Sequence, residues 1–291
     1  MVSAQQNQQM QHTEAYHSLF TDLQNYCQQY SAKIGIGYKN LKTGETLFLH
    51  NDKVYPTMSV YKFHLALYIL HLVDQKRLTI DTIIHIKRSE LSQNTWSPML
   101  KDKKGNEIAL SVKELIEYSV GKSDNNACDI LFELAGGPAK VHEYFGKLGI
   151  KKMGIHATEK EMHDNPASMF TNFTNPAAAI EVLTRFHAGT LLSKNSNDIL
   201  FSIMRNSENP STRIKAGLPA SAKLAHKTGT GDIVDNKIFA VNDIGIVECE
   251  NSNQYAICVF VHQAAMKEYE QCDAIIAEIS RKIYNYAMLN K

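Results

Sequence analysis

Apolar residues in the first part of the chain change their period twice. Tyr16, Leu19, Phe20, Leu23 and Cys27 recur at three- and four-residue spacing, which predicts a helix over residues 14–30 with one buried stripe. Residues 32–38 then alternate, a polar turn containing Gly44 covers 39–44, and residues 47–49 form a second short apolar run. Two such runs around a glycine-bearing turn predict a hairpin. Residues 59–74 are apolar almost all round, the pattern of a helix enclosed on every side. Between residues 110 and 189 helical patterns follow one another, notably over 112–118, 126–134 and 176–187. Residues 158–175 are largely polar and aperiodic, so a long loop is predicted there, and a loop of that length inside a domain usually carries function. Strand patterns return at Leu224 and Ala225, over 238–247 and over 255–261. The chain closes on a helix whose buried face is Cys272, Ile275, Ile276, Ile279, Ile283 and Tyr286.

Helix, strands, many helices, strands, helix is an α+β order. It predicts an antiparallel sheet flanked by helices and built from both chain ends, residues 1–58 and 206–291. An all-helical lobe, residues 59–205, is inserted between them. The whole makes one catalytic domain, with a cleft between the lobes as the natural place for a site.

Composition narrows the function classes. Hydrophobic residues make up 44% and charged residues 21%, ordinary for a soluble globular chain. Lys plus Arg number 31 against 30 Asp plus Glu, so no basic domain offers itself to nucleic acid, although a local cation cluster could still hold a small anion. The longest apolar run, 63–73, is broken by His64 and His71 and falls short of the roughly 20 residues a membrane span needs. Residues 1–12 are polar and Gln-rich, without the apolar core of a leader peptide; an exported protein would here be a mature chain, and a cytosolic one is the competing reading. Cys27, Cys128, Cys249, Cys258 and Cys272 are widely spaced with no CxxC pattern and read as small buried hydrophobes.

Three short elements carry chemistry. Ser59-Val60-Tyr61-Lys62 places an amine and a hydroxyl three apart, on one face of a helix, where a neutral amine could take the serine proton. A second match, Ser119 to Lys122, reads as coincidence, because Ser59 alone follows a proline and opens a long apolar helix, whose free N–H groups favour developing negative charge. Ser123-Asp124-Asn125 reads first as a helix N-cap. The neighbouring Gly121-Lys122-Ser123 mimics the end of a phosphate loop, but Ile116 stands where that loop needs glycine. Lys227-Thr228-Gly229-Thr230 follows strand residues. It reads either as an edge strand entering a turn or as a strand lining a cleft, with Gly229 letting substrate approach the backbone.

Each element alone is weak, but in the order S-x-x-K, S-D-N, K-T-G they make the set of class A β-lactamases and penicillin-binding proteins. The chain resembles that family along nearly its whole length. The resemblance implies that Ser59 is the nucleophile, with Lys62 or Glu159 as acylation base and Ser123 as proton carrier to the leaving nitrogen. It implies an oxyanion hole from the backbone of Ser59 and Thr230, and substrate contacts from Asn125, Lys227, Thr228 and Thr230. Within residues 158–175, Glu159 matches the glutamate that prepares the deacylating water in class A enzymes; Glu161 is its rival. His163 stands where most of the family has asparagine, a departure that resembles the PER- and CfxA-like branch and puts the usual loop contacts in doubt. By the same alignment Arg213 joins Lys227 at the substrate carboxylate, or is a surface cation. Trp96 walls the cleft entrance, or is core.

The resemblance implies no cofactor. His156, Glu159 and His163 lack a metal-binding spacing, so no metal is expected. The expected partner is a small-molecule β-lactam, a cephalosporin first, met by a periplasmic or secreted monomer with no nucleic acid and no membrane contact. The alternatives are a DD-peptidase and a non-hydrolysing β-lactam receptor.

Overall fold

The computed structural model describes residues 4–289, with side chains from residue 12. The helices are α1 (Ala4–Gln28), α2 (Tyr61–Asp74), α3 (Pro98–Asp102), α4 (Val112–Ile116), α5 (Asn125–Ala135), α6 (Pro138–Lys147), α7 (Glu159–Asp164), α8 (Pro176–His187), α9 (Lys194–Arg205) and α10 (Tyr269–Leu289). The strands are β1 (Lys33–Asn40), β2 (Thr46–Leu49), β3 (Tyr55–Pro56), β4 (Ile83–Lys87), β5 (Glu107–Ser111), β6 (Phe173–Thr174), β7 (Lys223–Thr230), β8 (Ile233–Val234), β9 (Lys237–Glu248) and β10 (Gln254–Ala264). The main sheet is antiparallel in the order β2-β1-β10-β9-β7, with β8 paired to β9. The architecture is α+β, as the element order predicts.

Each face of that sheet closes a separate apolar cluster. On one side α1 and α10 pack their stripes onto the strands, and Cys272, Ile275, Ile276, Ile279, Ile283 and Tyr286 are all buried there. On the other, α2 passes through the middle of the helical region with Phe63, Leu65, Leu67 and Ile69 fully enclosed, which accounts for an apolar pattern without a polar face. All five cysteines are free and buried. No helix among the described residues is long and apolar enough to cross a membrane.

Three elements depart from the pattern reading. Helix α1 starts well before residue 14 because glutamine is a competent helix former and needs no apolar stripe; residues 1–3 lie outside the described chain. The hairpin β4–β5 was not predicted, since of β4 only Ile86 is buried and the strand has no clean alternation. Residues 158–175, predicted as loop, contain α7, a 3-10 turn at Pro166–Phe170 and β6. These pieces are too short for a periodic signal and are made by caps. The Thr158 hydroxyl accepts from the Glu161 N–H while the Glu161 carboxylate accepts from the Thr158 N–H, a reciprocal pair that starts a helix.

Candidate active site

The nucleophile candidate sits in a tight turn gripped from three elements. Met58–Val60 forms one 3-10 turn leading into α2, so Ser59 stands at the start of the most enclosed helix. Thr57 donates through its N–H and its hydroxyl to the Asn172 carbonyl, at 2.9 and 3.1 Å. The Asn242 amide donates to the carbonyls of Pro56 and Thr57, at 2.8 and 3.2 Å. Strand β7 presses in from the side: a Cβ at Gly229 would lie 2.5 Å from the Thr57 carbonyl and 3.1 Å from the Ser59 nitrogen. The glycine of K-T-G is therefore required by packing against the turn that carries Ser59, and it also lines the cleft. Met58 and Ser123 both have positive φ, 46° and 57°. Such conformations cost non-glycine residues about 1–3 kcal/mol and concentrate at working sites.

Lys62 is wholly buried. Its ammonium donates to the Ser123 carbonyl at 2.8 Å and the Asn125 side-chain oxygen at 2.5 Å, and it pairs with a Glu159 carboxylate oxygen at 3.0 Å. Those three partners take the place of the Ser59 hydroxyl that the spacing suggested. The Ser59 hydroxyl itself makes no hydrogen bond among the described residues and lines the cleft.

Lys227 is also wholly buried. It donates to the Ser123 hydroxyl oxygen at 3.0 Å, the Asn209 side-chain oxygen at 3.2 Å and the Thr228 carbonyl at 2.8 Å. Burial first, and then the cationic Lys62, hold its pKa well below the usual lysine value. Because Lys227 donates to Ser123, the serine's own proton is free to turn toward the cleft. The Thr228 hydroxyl donates to the same Asn209 oxygen, at 3.2 Å.

Arg213 lies behind this strand, 3% exposed. Its guanidinium pairs with Asp273 at 2.7 Å, donates to the carbonyls of Gly229 and Asn242, and reaches the Thr230 hydroxyl at 2.7 Å. It is neither surface cation nor cleft lining; it touches the cleft through Thr230.

Glu159 and Glu161, rivals in the sequence, separate by geometry. Glu161 is taken up in the cap of α7, whereas Glu159 turns inward to Lys62. The start of α7 is held by Asp129 on α5, whose carboxylate accepts from the N–H groups of Glu159 and Lys160 at 2.8 and 2.9 Å. Burial and the neighbouring Glu159 push the Asp129 carboxyl up to about 7. Asn172 holds the chain entering α7, its side chain accepting from the N–H groups of His156 and Ala157.

Asp124 caps α5 through the Ala127 N–H and also binds Met99 and Ser97, so the plain N-cap reading of S-D-N holds for its middle residue. Asn125 bridges Lys62 and the Thr95 hydroxyl. Trp96 is 58% exposed, donates to the Lys122 carbonyl and lines the cleft, as does the exposed His163. The cleft holds about 570 Å³ and also receives Ser59, Ser123, Asn125, Glu159, Thr228 and Thr230. Asn209, Asp129, Asn172 and Asn242 escaped the sequence reading. They belong to no motif, and a buried polar residue outside a motif leaves no periodic trace. Among the described residues no group of three or more potential metal ligands occurs.

Comparison with known proteins follows the same outline. The family model described as "Beta-lactamase enzyme family" matches residues 18–287. The extended-spectrum β-lactamase PER-1 of Pseudomonas aeruginosa is 36% identical over 257 residues, covering 88% of this chain and 83% of that protein. β-Lactamase VEB-1 of the same organism is 34% identical, covering 94% of this chain and 91% of its own. The crystal structure of the TLA-1 extended-spectrum β-lactamase superposes with a TM-score of 0.89 at 39% identity, covering 93% of this chain and 98% of that one.

Proposed function

The chain belongs to the class A serine β-lactamases and is a β-lactam hydrolase, and from that premise we propose how its own residues do the chemistry. Lys227, Thr228 and Thr230 hold the substrate carboxylate, with Arg213 acting through Thr230. Ser59 attacks the lactam carbonyl, and its proton leaves through water to Glu159, or to Lys62 once that amine has given a proton to the paired Glu159 carboxylate and is neutral. The backbone N–H groups of Ser59 and Thr230 receive the developing oxyanion, a contact worth about 3 kcal/mol per donor in acyl transfer. Ser123, its oxygen already occupied by Lys227, hands its proton to the departing ring nitrogen. Asn125 meets the substrate's amide side chain, Trp96 and His163 flank the entrance, and Glu159 drives water onto the ester.

The observation that carries this reading is the Glu159–Lys62 contact of 3.0 Å inside the cleft that Ser59 lines. A carboxylate held there is what a fast-deacylating enzyme needs and a slow acyl-binding protein lacks. The expected result is that Glu159→Gln acylates with a cephalosporin and stays acylated, its intact mass raised by the ligand. Turnover at the parent rate by that variant would remove Glu159 from deacylation. A burst without steady turnover by the parent would move the chain to the DD-peptidases or receptors.

The substrate we favour is a cephalosporin with a bulky oxyimino side chain. Two relatives whose names carry "extended-spectrum" support it, and a cleft of about 570 Å³ is of a size to take a drug-sized ligand. Strong rejection of a bulky cephalosporin relative to a small one would count against it. The same reading makes the protein a monomer working in the periplasm or outside the cell.

A further inference from the structure

Beneath the carboxylate clamp lies a pair of titratable side chains with no part in the chemistry above. His226 and Asp243 are 4% and 0% exposed. The His226 Nδ1 faces both oxygens of the Asp243 carboxylate, at 3.0 and 3.1 Å. Side chains alternate along a strand, so His226, Thr228 and Thr230 share one face of β7, and Asp243, opposite Thr228 in the register, shares it too. The second contact of Asp243 is the N–H of Ile214, at 3.2 Å. Ile214 directly follows Arg213 and opens a 3-10 turn, Ile214–Gly217. The other side of that turn is fixed as well, because the Ser280 hydroxyl donates to the Ile214 carbonyl at 3.0 Å and a Cβ at Gly217 would lie 2.0 Å from the Ala277 carbonyl. Arg213 is thus gripped at its guanidinium by Asp273, Gly229 and Asn242, and at its following peptide by Asp243.

A buried carboxylate is weak evidence of a stabilising role, since apolar side chains of the same shape often do as well at such depth. We propose that Asp243, oriented by His226, is a positioning residue for substrate-carboxylate recognition: it sets the peptide after Arg213 so that the guanidinium meets the Thr230 hydroxyl. This rests on the reading that Thr228, Thr230 and Lys227 hold that carboxylate, with Arg213 behind Thr230.

The test compares kcat/KM for a cephalosporin with its free ring carboxylate and for the methyl ester of the same compound. In the parent the acid is strongly preferred. Asp243→Asn lowers the acid-to-ester ratio about tenfold, mostly through KM for the acid. His226→Phe, which removes the Nδ1 donor, lowers it in the same direction. His226→Asn, whose amide N–H falls near the lost Nδ1, restores it. An unchanged ratio, or an equal loss on acid and ester, overturns the proposal, because a role in the scaffold alone cannot tell the two substrates apart. A parent that treats acid and ester alike instead removes the clamp reading and this inference with it. Should Asp243→Asn fail to fold, the His226 pair decides the matter.

Discussion

On one wall of the cleft, Thr228 and Thr230, with Lys227 buried behind the Ser123 hydroxyl, belong to a strand paired with β9 at every residue from Lys223 to Thr230. On the facing wall, Glu159 begins a helix of six residues, tied to the rest of the molecule through Asp129, Asn172 and its pairing with Lys62. The first wall is a continuous ladder in which a single side chain can be lost without moving the backbone. The second is assembled from separate hydrogen bonds, each of which holds the carboxylate in place. The contrast suits a two-step reaction. Under the proposed mechanism, binding and acylation draw on the cations of the strand wall and deacylation on one carboxylate placed against water, so the steps should fail separately when the walls are damaged separately.

The largest effect should come from the residue both walls serve. Ser59→Ala is expected to abolish steady turnover, a loss of at least about 10⁴-fold, with no covalent adduct by intact mass; a surviving adduct would put the nucleophile elsewhere. Lys227→Met keeps the length and removes the charge from the strand wall. It should reduce kcat/KM about 10²–10³-fold, with the loss falling on KM and on the acylation rate seen in stopped flow, not on deacylation. Asn172→Ala strips three backbone hydrogen bonds from the Glu159 wall and should cost about 1–3 kcal/mol of stability through the buried groups left unpaired. Its kinetic cost, about tenfold, should appear in deacylation; an equal loss in acylation would break the proposed division between the walls.

The smallest effect is on pH dependence. The Asp129 carboxyl titrates near about 7 in the fold and near about 3.9 in an unfolded chain. Between those values the native state holds a proton that the unfolded state has lost, so this group's contribution to stability falls as pH rises from about 4 to about 7 and is constant above that. Asp129→Asn, which keeps one acceptor for the start of α7, removes that slope. Its melting temperature should gain on the parent's by a few degrees between pH 5 and pH 8. A constant difference across that range would mean that Asp129 does not titrate there.

Legibility followed the same two walls. Residues 238–247 and 255–261 were readable because strands buried on both faces write long apolar runs. Strand β7 was readable only at Leu224 and Ala225; beyond them Lys227 and Thr228 are buried polar residues that face the site and imitate a turn. The segment at 158–175 looked aperiodic because its structure comes from caps, at Thr158 and Glu161, and from long-range amide contacts at Asn172.

What the chain determines by itself is local: helix and strand periods, the enclosed nature of α2, and three motifs whose order pointed to a family. Those follow from which side chains can share a face, a matter of neighbours a few residues apart. What only the tertiary structure decided is which hydroxyl, amine and carboxylate actually meet. Lys62 bonds Ser123, Asn125 and Glu159 instead of Ser59. Arg213 reaches the Thr230 hydroxyl from behind the strand, and a Cβ at Gly229 would strike the Thr57 carbonyl. Each is a contact between segments far apart along the chain, set by how the sheet and the helical region close on each other, and no local pattern encodes a distance across that closure.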